Sequence, residues 1–183
     1  MKIAVVGRGN VGGGLADRWE RAGHSVARIG RDGGDVSDAD AVLIAVPGAE
    51  IADALDKVQG LEGKTVIDAT NLFGAPRQPG FESNAEFVKS RTNGPTAKSF
   101  NANFADLYDR IDDLAARPSN LWSGDEDARE IVEQLNRDAG YEPVYAGGLE
   151  NARIQEDFLQ LIGAIRQGFD ARFLYRMAPP DQF

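Results

Sequence analysis

Cysteine is absent from the 183 residues, which excludes disulfides, thiolate metal sites and cysteine nucleophiles. A single histidine, His24, leaves no histidine-rich zinc or iron site. Positive charge is scarce, and the net charge of −9 repels nucleic acid and anionic membranes. Long apolar runs are missing too, because the longest, from Ala41 to Ala49, is far below the roughly 20 residues that cross a bilayer. We therefore expect a cytoplasmic protein with no metal site and no nucleic-acid or membrane partner.

Apolar segments of strand length alternate with helical patterns, which predicts an α/β fold with helices on both faces of one doubly wound, mainly parallel sheet. We expect one domain over residues 1–176 and an extended tail over 177–183. The segments Asp32–Asp40 and Phe73–Phe81 are predicted to be irregular, so no helix joins the second strand to the third. The predicted strands are Lys2–Val6, Ser25–Ile29, Ala41–Val46, Lys64–Asp68, Thr96–Phe100, Leu121–Ser123 and Pro143–Tyr145; the predicted helices are Val11–Arg21, Glu50–Val58, Ser83–Arg91, Phe104–Leu114, Asp125–Asp138 and the C-terminal Asn151–Gln167.

A glycine-rich sequence follows the first predicted strand and opens the first predicted helix. It reads Gly7-Arg8-Gly9-Asn10-Val11-Gly12, a G-x-G-x-x-G pattern in the context that a dinucleotide-binding fold of the Rossmann type requires. Gly7 permits the tight turn, Gly9 lets the backbone approach a pyrophosphate, and Gly12 lets the helix pack on the strand. The helix N-terminus offers N–H groups to the phosphates. We predict that this loop binds the cofactor pyrophosphate; the alternative is a glycine turn without a ligand.

The end of the second strand distinguishes NADP from NAD. An arginine there pairs with the 2′-phosphate, whereas an acid bonds the ribose hydroxyls. The sequence carries both, since Gly30-Arg31 is followed by Asp32. Gly30 leaves space for a phosphate and the arginine fork matches its geometry, so we favour NADP through Arg31. Asp32 lies at the approximate spacing that favours NAD, and a solvated loop charge is the remaining interpretation of Arg31.

Several blocks along the chain match the pattern of one family: Lys2–Gly12, Gly23–Val26, Gly30-Arg31, Ala45-Val46-Pro47, Val66–Asn71, Lys98–Asn101, Gly124-Asp125 and Ala146–Arg153. On these blocks the chain resembles the NADPH:F420 oxidoreductases, which act on the deazaflavin coenzyme F420. The resemblance covers nearly the whole chain, although the family usually has serine where Gly30 stands and proline where Gly148 stands. It implies hydride transfer between NADPH and F420 or another flavin-like molecule, with Asn71, Asn101 and the loop around Leu149 facing the nicotinamide.

Ligands of an open parallel sheet sit beyond the carboxyl ends of its strands. Ala45, Val46 and Pro47 end the third strand, and we expect them beside the pyrophosphate and central riboses. Thr70 and Asn71 could bond the nicotinamide ribose or amide, while Asn71, Lys98 and Asn101 are the candidate catalytic residues. Asn101, Leu149 and Arg153 are candidate substrate-binding residues, Arg153 for an acidic tail. The alternatives are a turn-capping Asn71, an exposed Lys98 at a strand end and an ordinary helical Arg153; His24 is interpreted as structural.

The expected reaction type is inferred partly from the lack of a recognisable proton donor for the reduction of a carbonyl group. No tyrosine is followed four residues later by lysine, and His24 is predicted to lie far from the cleft. Transfer between two rings needs no such proton donor, because catalysis is then mainly positioning. Two other functions stay open: a non-catalytic dinucleotide sensor, and a dehydrogenase of a small carbonyl compound with Lys98 as the acid. Apolar residues of the last helix could pair two copies of the chain or cover its own sheet; they are Phe158, Leu159, Leu161, Ile162 and Ile165.

Overall fold

A computed structural model describes residues 1–182. Within them, a seven-stranded sheet carries helices on both faces, which confirms the predicted α/β fold. The strands are β1 (Lys2–Val6), β2 (Ser25–Ile29), β3 (Gly34–Asp35), β4 (Ala41–Ile44), β5 (Val58–Gln59), β6 (Thr65–Asp68), β7 (Thr96–Ser99), β8 (Ser119–Gly124) and β9 (Glu142–Tyr145). The α-helices are α1 (Asn10–Arg21), α2 (Ile51–Asp56), α3 (Asn84–Thr92), α4 (Arg129–Asp138) and α5 (Ala152–Phe169).

The large sheet runs in the order β2-β1-β4-β6-β7-β8-β9. Every neighbouring pair is parallel except β7 and β8, which are antiparallel. The link between these two strands contains a 3₁₀ segment, Ala105–Asp113, where the sequence predicted a helix over Phe104–Leu114. The mainly parallel sheet is thus confirmed, with one reversal of direction between β7 and β8.

The connection between β2 and β4 contains no helix, as predicted, but it is not wholly irregular. Its two-residue strand β3 pairs in parallel with β5 and forms a separate small sheet. The predicted helix Glu50–Val58 is correspondingly shorter, because a 3₁₀ turn, Gly48–Glu50, precedes α2 and Val58 belongs to β5. This small sheet ties the loop after β2 to the end of α2.

Alternate residues of the central strands point to opposite faces of the sheet. Ile3 and Val5 pack into one buried cluster with α1 and α4, and Ala4 and Val6 pack into the other with α2 and α3. Because both faces are covered, β1 after Lys2 and the whole of β4 contain only apolar residues. The glycine loop at the end of β1 is therefore held by a strand that is buried on both sides.

Arg18 links α1 to the C-terminal half of the chain. It is buried, and its Nε donates to the Ala139 carbonyl oxygen at 2.5 Å. Its guanidinium also donates to the Tyr108 carbonyl oxygen at 2.7 Å and pairs with Asp112. One cation thus satisfies acceptors from both the 3₁₀ segment and the residue that ends α4.

The C-terminal segment follows the edge of β8 before it turns. The Ser119 N–H donates to the Tyr175 carbonyl oxygen, and the Met177 N–H donates to Ser119 Oγ at 2.8 Å. The tail is not extended throughout, because Pro180–Gln182 form a 3₁₀ turn. Its last residue, Phe183, lies outside the described residues. The division at residue 176 into domain and tail stays a prediction.

Candidate functional site

The glycine loop has two positions that exclude any side chain. Gly7 has φ +110°, and a Cβ there would lie 2.7 Å from the Ala45 carbonyl carbon. A Cβ at Gly12 would overlap the Gly7 carbonyl oxygen. Gly9 differs, because no atom lies within 4 Å of the place where its Cβ would be. The protein itself requires glycine at the two outer positions, whereas the space beside Gly9 is free for a ligand.

Helix α1 begins at this loop without a side-chain cap. Gly9 is its N-cap residue, and no side chain accepts a hydrogen bond from the first turn. The first N–H groups of an α-helix have no intrahelical acceptor. Asn10 and the residues after it therefore present donors and the positive end of the helix dipole, which suits a phosphate.

A cavity of about 730 Å³ opens at this helix start. It lies between the glycine loop, the loop after β2 and the start of α2. Asn10, Val11, Gly12, Thr70 and Asn71 do not line it, and neither does Asp32, the residue that would favour NAD. The predicted cofactor residues that line it are Gly7, Arg8, Gly9, Gly30, Arg31, Ala45, Val46 and Pro47.

Two arginines that line this cavity have guanidinium groups without an ion-pair partner. Arg8 and Arg31 are exposed, and neither has an ion pair or hydrogen bond to any residue among 1–182. Arg28, three residues earlier, instead pairs with Asp17 and Glu20, and these hydrogen bonds raise its pKa. The two unpaired guanidinium groups are available to an anion in this cavity, whose opposite side carries Glu50 and the Asp53–Lys57 pair.

Sequence reasoning missed the opposite wall of the cavity. One face of the segment around α2 lines it, at the helical spacing of Glu50, Asp53, Ala54 and Lys57. Lys57 Nζ donates a hydrogen bond to Asp53 at 2.7 Å. The backbone of Lys57 lies against Gly33, where an added Cβ would be only 2.7 Å from the Lys57 carbonyl carbon. The spacing of these residues directly after Pro47 was the available signal.

Asn71 and Asn101 lie side by side at the carboxyl ends of β6 and β7. Asn71 Nδ2 donates to the Asn101 carbonyl oxygen at 2.8 Å, and Asn101 Nδ2 donates to Asn71 Oδ1 at 3.3 Å. Gln155 on α5 donates to Asn101 Oδ1 at 2.9 Å. Gly48 also donates its N–H to the Asn71 carbonyl oxygen. The two predicted residues are brought together, but their amide groups are engaged with each other.

Lys98 is fully buried, so the interpretation as an exposed strand-end charge is wrong. Its Nζ lies 2.8 Å from Asp68 Oδ2, 2.6 Å from the Thr70 carbonyl oxygen and 3.2 Å from Glu156 Oε1. These three acceptors match the three protons of an ammonium group. The Lys98 ammonium group can be buried because two carboxylates, one from β6 and one from α5, compensate its charge.

A second cavity, of about 600 Å³, lies beyond the Thr70–Asn71 segment. Its wall is largely apolar, and Arg166, which has no ion pair within residues 1–182, stands at its edge. None of the three predicted substrate residues, Asn101, Leu149 and Arg153, lines it; Arg153 pairs with Asp157 and Glu82. The lining residues are Leu72, Phe73, Gly74, Ala75, Arg77, Phe104, Glu156, Asp157, Leu159, Gln160, Ile162, Gly163 and Arg166.

His24 lies at the amino-terminal edge of the sheet, directly before β2. Its Nε2 is 2.8 Å from Asp138 Oδ2, and its Nδ1 is 3.2 Å from the terminal amine of Met1. Neither cavity includes it. Over residues 1–182, no cluster of acids and histidine has the form of a metal site, and no helix combines the length and apolarity needed to span a membrane.

No protein-family model matches the chain, and no curated protein matches it. Solved structures do match. A protein of Arthrobacter sp. FB24, provisionally described as an F420-dependent NADP reductase, has a TM-score of 0.80 at 24% identity, over 98% of this chain and 100% of that one. A hypothetical protein of Sinorhizobium meliloti, SMa0349, has a TM-score of 0.63 at 28% identity, over 82% and 86%.

The reductive aminase of Aspergillus terreus in complex with NADPH has a TM-score of 0.67 at 16% identity. The match covers 92% of this chain but 62% of the aminase, so the chain corresponds to only part of that enzyme. At these identities the comparisons establish the fold. The chain shares the Rossmann-like α/β fold of these structures, with its glycine loop between β1 and α1.

Proposed function

We propose that the protein is an NADP(H)-dependent oxidoreductase that transfers hydride between NADPH and a flavin-like acceptor such as coenzyme F420. The cavity in which the open side of Gly9 and the unpaired guanidinium of Arg31 meet carries this proposal. It offers backbone donors for a pyrophosphate and a free cation for a 2′-phosphate. NADPH, when bound, supplies the hydride.

The chain's own residues divide the work between two cavities. The glycine loop and the N-terminus of α1 hold the pyrophosphate, Arg31 and Arg8 bind the 2′-phosphate, and Pro47 borders the central riboses. We assign Asn71 and Asn101 to the nicotinamide end because they follow β6 and β7 at the same edge of the sheet, although neither lines either cavity. These residues bind and orient, which is the main contribution a protein makes to transfer between two rings.

The second cavity is the proposed site of the acceptor. Leu72, Phe104 and Ile162 give it an apolar wall that suits a flat ring, and Arg166 is placed to meet an anionic arm. Lys98 has no proton directed into this cavity, because its Nζ is surrounded by Asp68, Glu156 and Thr70. The proton that accompanies the hydride is therefore taken from water.

Mixing the protein with NADPH and F420 tests the proposal. We expect loss of NADPH absorbance that depends on both ligands and weakens in Arg31→Ala. Tight NADPH binding without turnover of F420, flavins or carbonyls would instead identify a sensor. Turnover of a carbonyl that is lost in Lys98→Ala would identify the small-molecule dehydrogenase. A protein that binds neither NADPH nor NADH at millimolar concentration would refute all three.

Pairing of two copies through α5, which the sequence left open beside a role in covering the chain's own sheet, is part of this proposal. Leu161 is 53% exposed and Ile154 is 67% exposed, and both lie on the outer side of the helix. Ile162 is buried and so covers its own domain, contrary to a role in pairing two copies. Light scattering on the wild-type protein and on Leu161→Glu measures the oligomeric state; a dimer that persists in the variant refutes pairing through this face.

A further inference from the structure

The cluster of Lys98, Asp68 and Glu156 is a buried set of charges that the proposed hydride transfer does not use directly. Lys98 and Asp68 are fully buried, and the Glu156 side chain is 5% exposed. Buried ion pairs are a poor way to gain stability, because well-packed apolar residues often do as well. The directions of the hydrogen bonds indicate what this cluster holds in place.

The side-chain hydrogen bonds of the cluster lead to Thr70 or to its support, and Glu156 Oε2 additionally lies 3.6 Å from Arg77 Nε. Lys98 donates to the Thr70 carbonyl oxygen, and Asp68 Oδ1 accepts from the Thr70 N–H at 2.8 Å. Glu156 Oε1 accepts a hydrogen bond from the backbone N–H of Asn84. The side-chain amide of Asn84 in turn donates to Thr70 Oγ1 at 2.8 Å. The three polar groups of Thr70 are thus all held by the cluster or by Asn84.

The same segment connects the surroundings of the two cavities, although Thr70 and Asn71 line neither of them. On one side Gly48, which follows Pro47 of the first cavity, donates its N–H to the Asn71 carbonyl oxygen. On the other side the chain continues into Leu72, which lines the second cavity together with Glu156. A shift of the Thr70–Asn71 segment would change the distance between the ligands proposed for the two cavities without moving the glycine loop.

We infer that Lys98 and Glu156 are positioning residues, which fix the Thr70–Asn71 segment relative to α5 so that the rings bound in the two cavities meet at hydride-transfer distance. The inference rests on the proposed function. Lys98 holds the segment from β7, and Glu156 holds it from the helix that forms the far wall of the second cavity.

Glu156→Gln is the mildest test, because it keeps the size of the side chain and leaves Lys98 bound to Asp68 and Thr70. Glu156→Asp keeps the charge but shortens the reach, so it cannot bond both Lys98 and Asn84. The matched control is Glu130→Gln, the same change on the exposed surface of α4. Thermal unfolding shows which variants are folded, and one folded Glu156 variant is enough for the test.

Three measurements separate positioning from folding: the affinity for 2′,5′-ADP, which occupies only the adenosine half of the site; the fluorescence of bound NADPH, which reports the surroundings of the nicotinamide; and the single-turnover rate of hydride transfer to F420. In the Glu156 variants we expect unchanged 2′,5′-ADP affinity, altered NADPH fluorescence and a rate lowered about tenfold to a hundredfold, since a displacement of about 1 Å has that effect. Glu130→Gln should match the wild type in all three.

The outcomes distinguish this inference from the function beneath it. Wild-type binding of 2′,5′-ADP and NADPH, with Glu156 variants that retain the wild-type fluorescence and rate, overturns the inference alone. Equal loss of affinity for both ligands also overturns it, because the cluster would then support only the fold. A wild-type protein that binds neither ligand overturns the proposed function and the inference together. Where F420 is not reduced, the NADPH fluorescence decides.

Discussion

Replacing Gly9 by alanine should separate cofactor binding from folding. The residue has φ −77° and ψ −169°, an extended conformation that alanine adopts freely. No atom lies within 4 Å of the new Cβ. We therefore expect the free energy of unfolding to change by no more than about 0.5 kcal/mol. The added methyl group enters the space proposed for the pyrophosphate, so binding should suffer instead.

The size of the binding loss follows from the contacts that the methyl group displaces. A hydrogen bond to a charged group contributes about 1.5–3 kcal/mol. Losing one backbone contact to the pyrophosphate should weaken NADPH binding about 10-fold to 150-fold. Gly7→Ala is the contrasting change two residues away. It forces φ +110° on alanine and crowds Ala45, so it should cost at least about 2 kcal/mol of folding stability.

Thermal unfolding and titration calorimetry on the two variants measure both effects. Gly9→Ala should unfold at the wild-type temperature and bind NADPH weakly, whereas Gly7→Ala should unfold at a lower temperature. Folded Gly9→Ala that binds NADPH as tightly as the wild type would refute the placement of the pyrophosphate on this loop. The helix N-terminus would then face no ligand.

Four further changes have defined outcomes. Arg31→Ala should weaken NADPH binding by about 1.5–3 kcal/mol in calorimetry and leave NADH binding unchanged; equal loss for both dismisses the 2′-phosphate assignment. Gly30→Ser should tighten NADPH binding, because its Cβ fits at 3.5 Å from the Arg8 side chain and its hydroxyl can donate to the phosphate; unchanged affinity contradicts this. Lys98→Met should lower the free energy of unfolding in urea by about 3–5 kcal/mol, because it leaves two buried carboxylates without their cation; an unchanged free energy of unfolding contradicts this. Arg18 holds the pKa of Asp112 below its usual value, so this pair contributes stability above the unfolded pKa of about 3.9 and loses it as pH falls through the lowered folded pKa. Asp112→Asn should flatten that acid limb in pH-dependent melting, and an unchanged limb refutes the contribution.

The strands and the glycine loop could be predicted because their signals are local. Continuous apolar runs mark β1 and β4, and Gly12 is dictated by contacts within the first βα unit, whereas Gly7 is required by its positive φ and by Ala45 after β4. The pairing of β3 with β5 was not predictable, because two residues carry no periodicity. It appears only once α2 brings Val58 beside Gly34.

Lys98 shows why part of the site could not be predicted from the sequence. A lysine at a strand end usually faces water, and its neighbours in the sequence give no sign of a partner. Its two carboxylates lie 30 and 58 positions away, on a strand and on the C-terminal helix. Burial of this kind is decided by tertiary contacts alone. The same holds for Asn71 and Asn101, whose types and positions were predicted but whose mutual hydrogen bonds were not.

The buried guanidinium of Arg18 makes the two halves of the polypeptide mutually dependent. A fragment that stops after β7 contains the complete glycine loop but lacks the carbonyl oxygens of Tyr108 and Ala139 that receive this cation. Water would have to enter the interior to solvate it. The nucleotide-binding segment is therefore no detachable module: complementary fragments must be expressed together, and each should remain protease-sensitive until it meets the other.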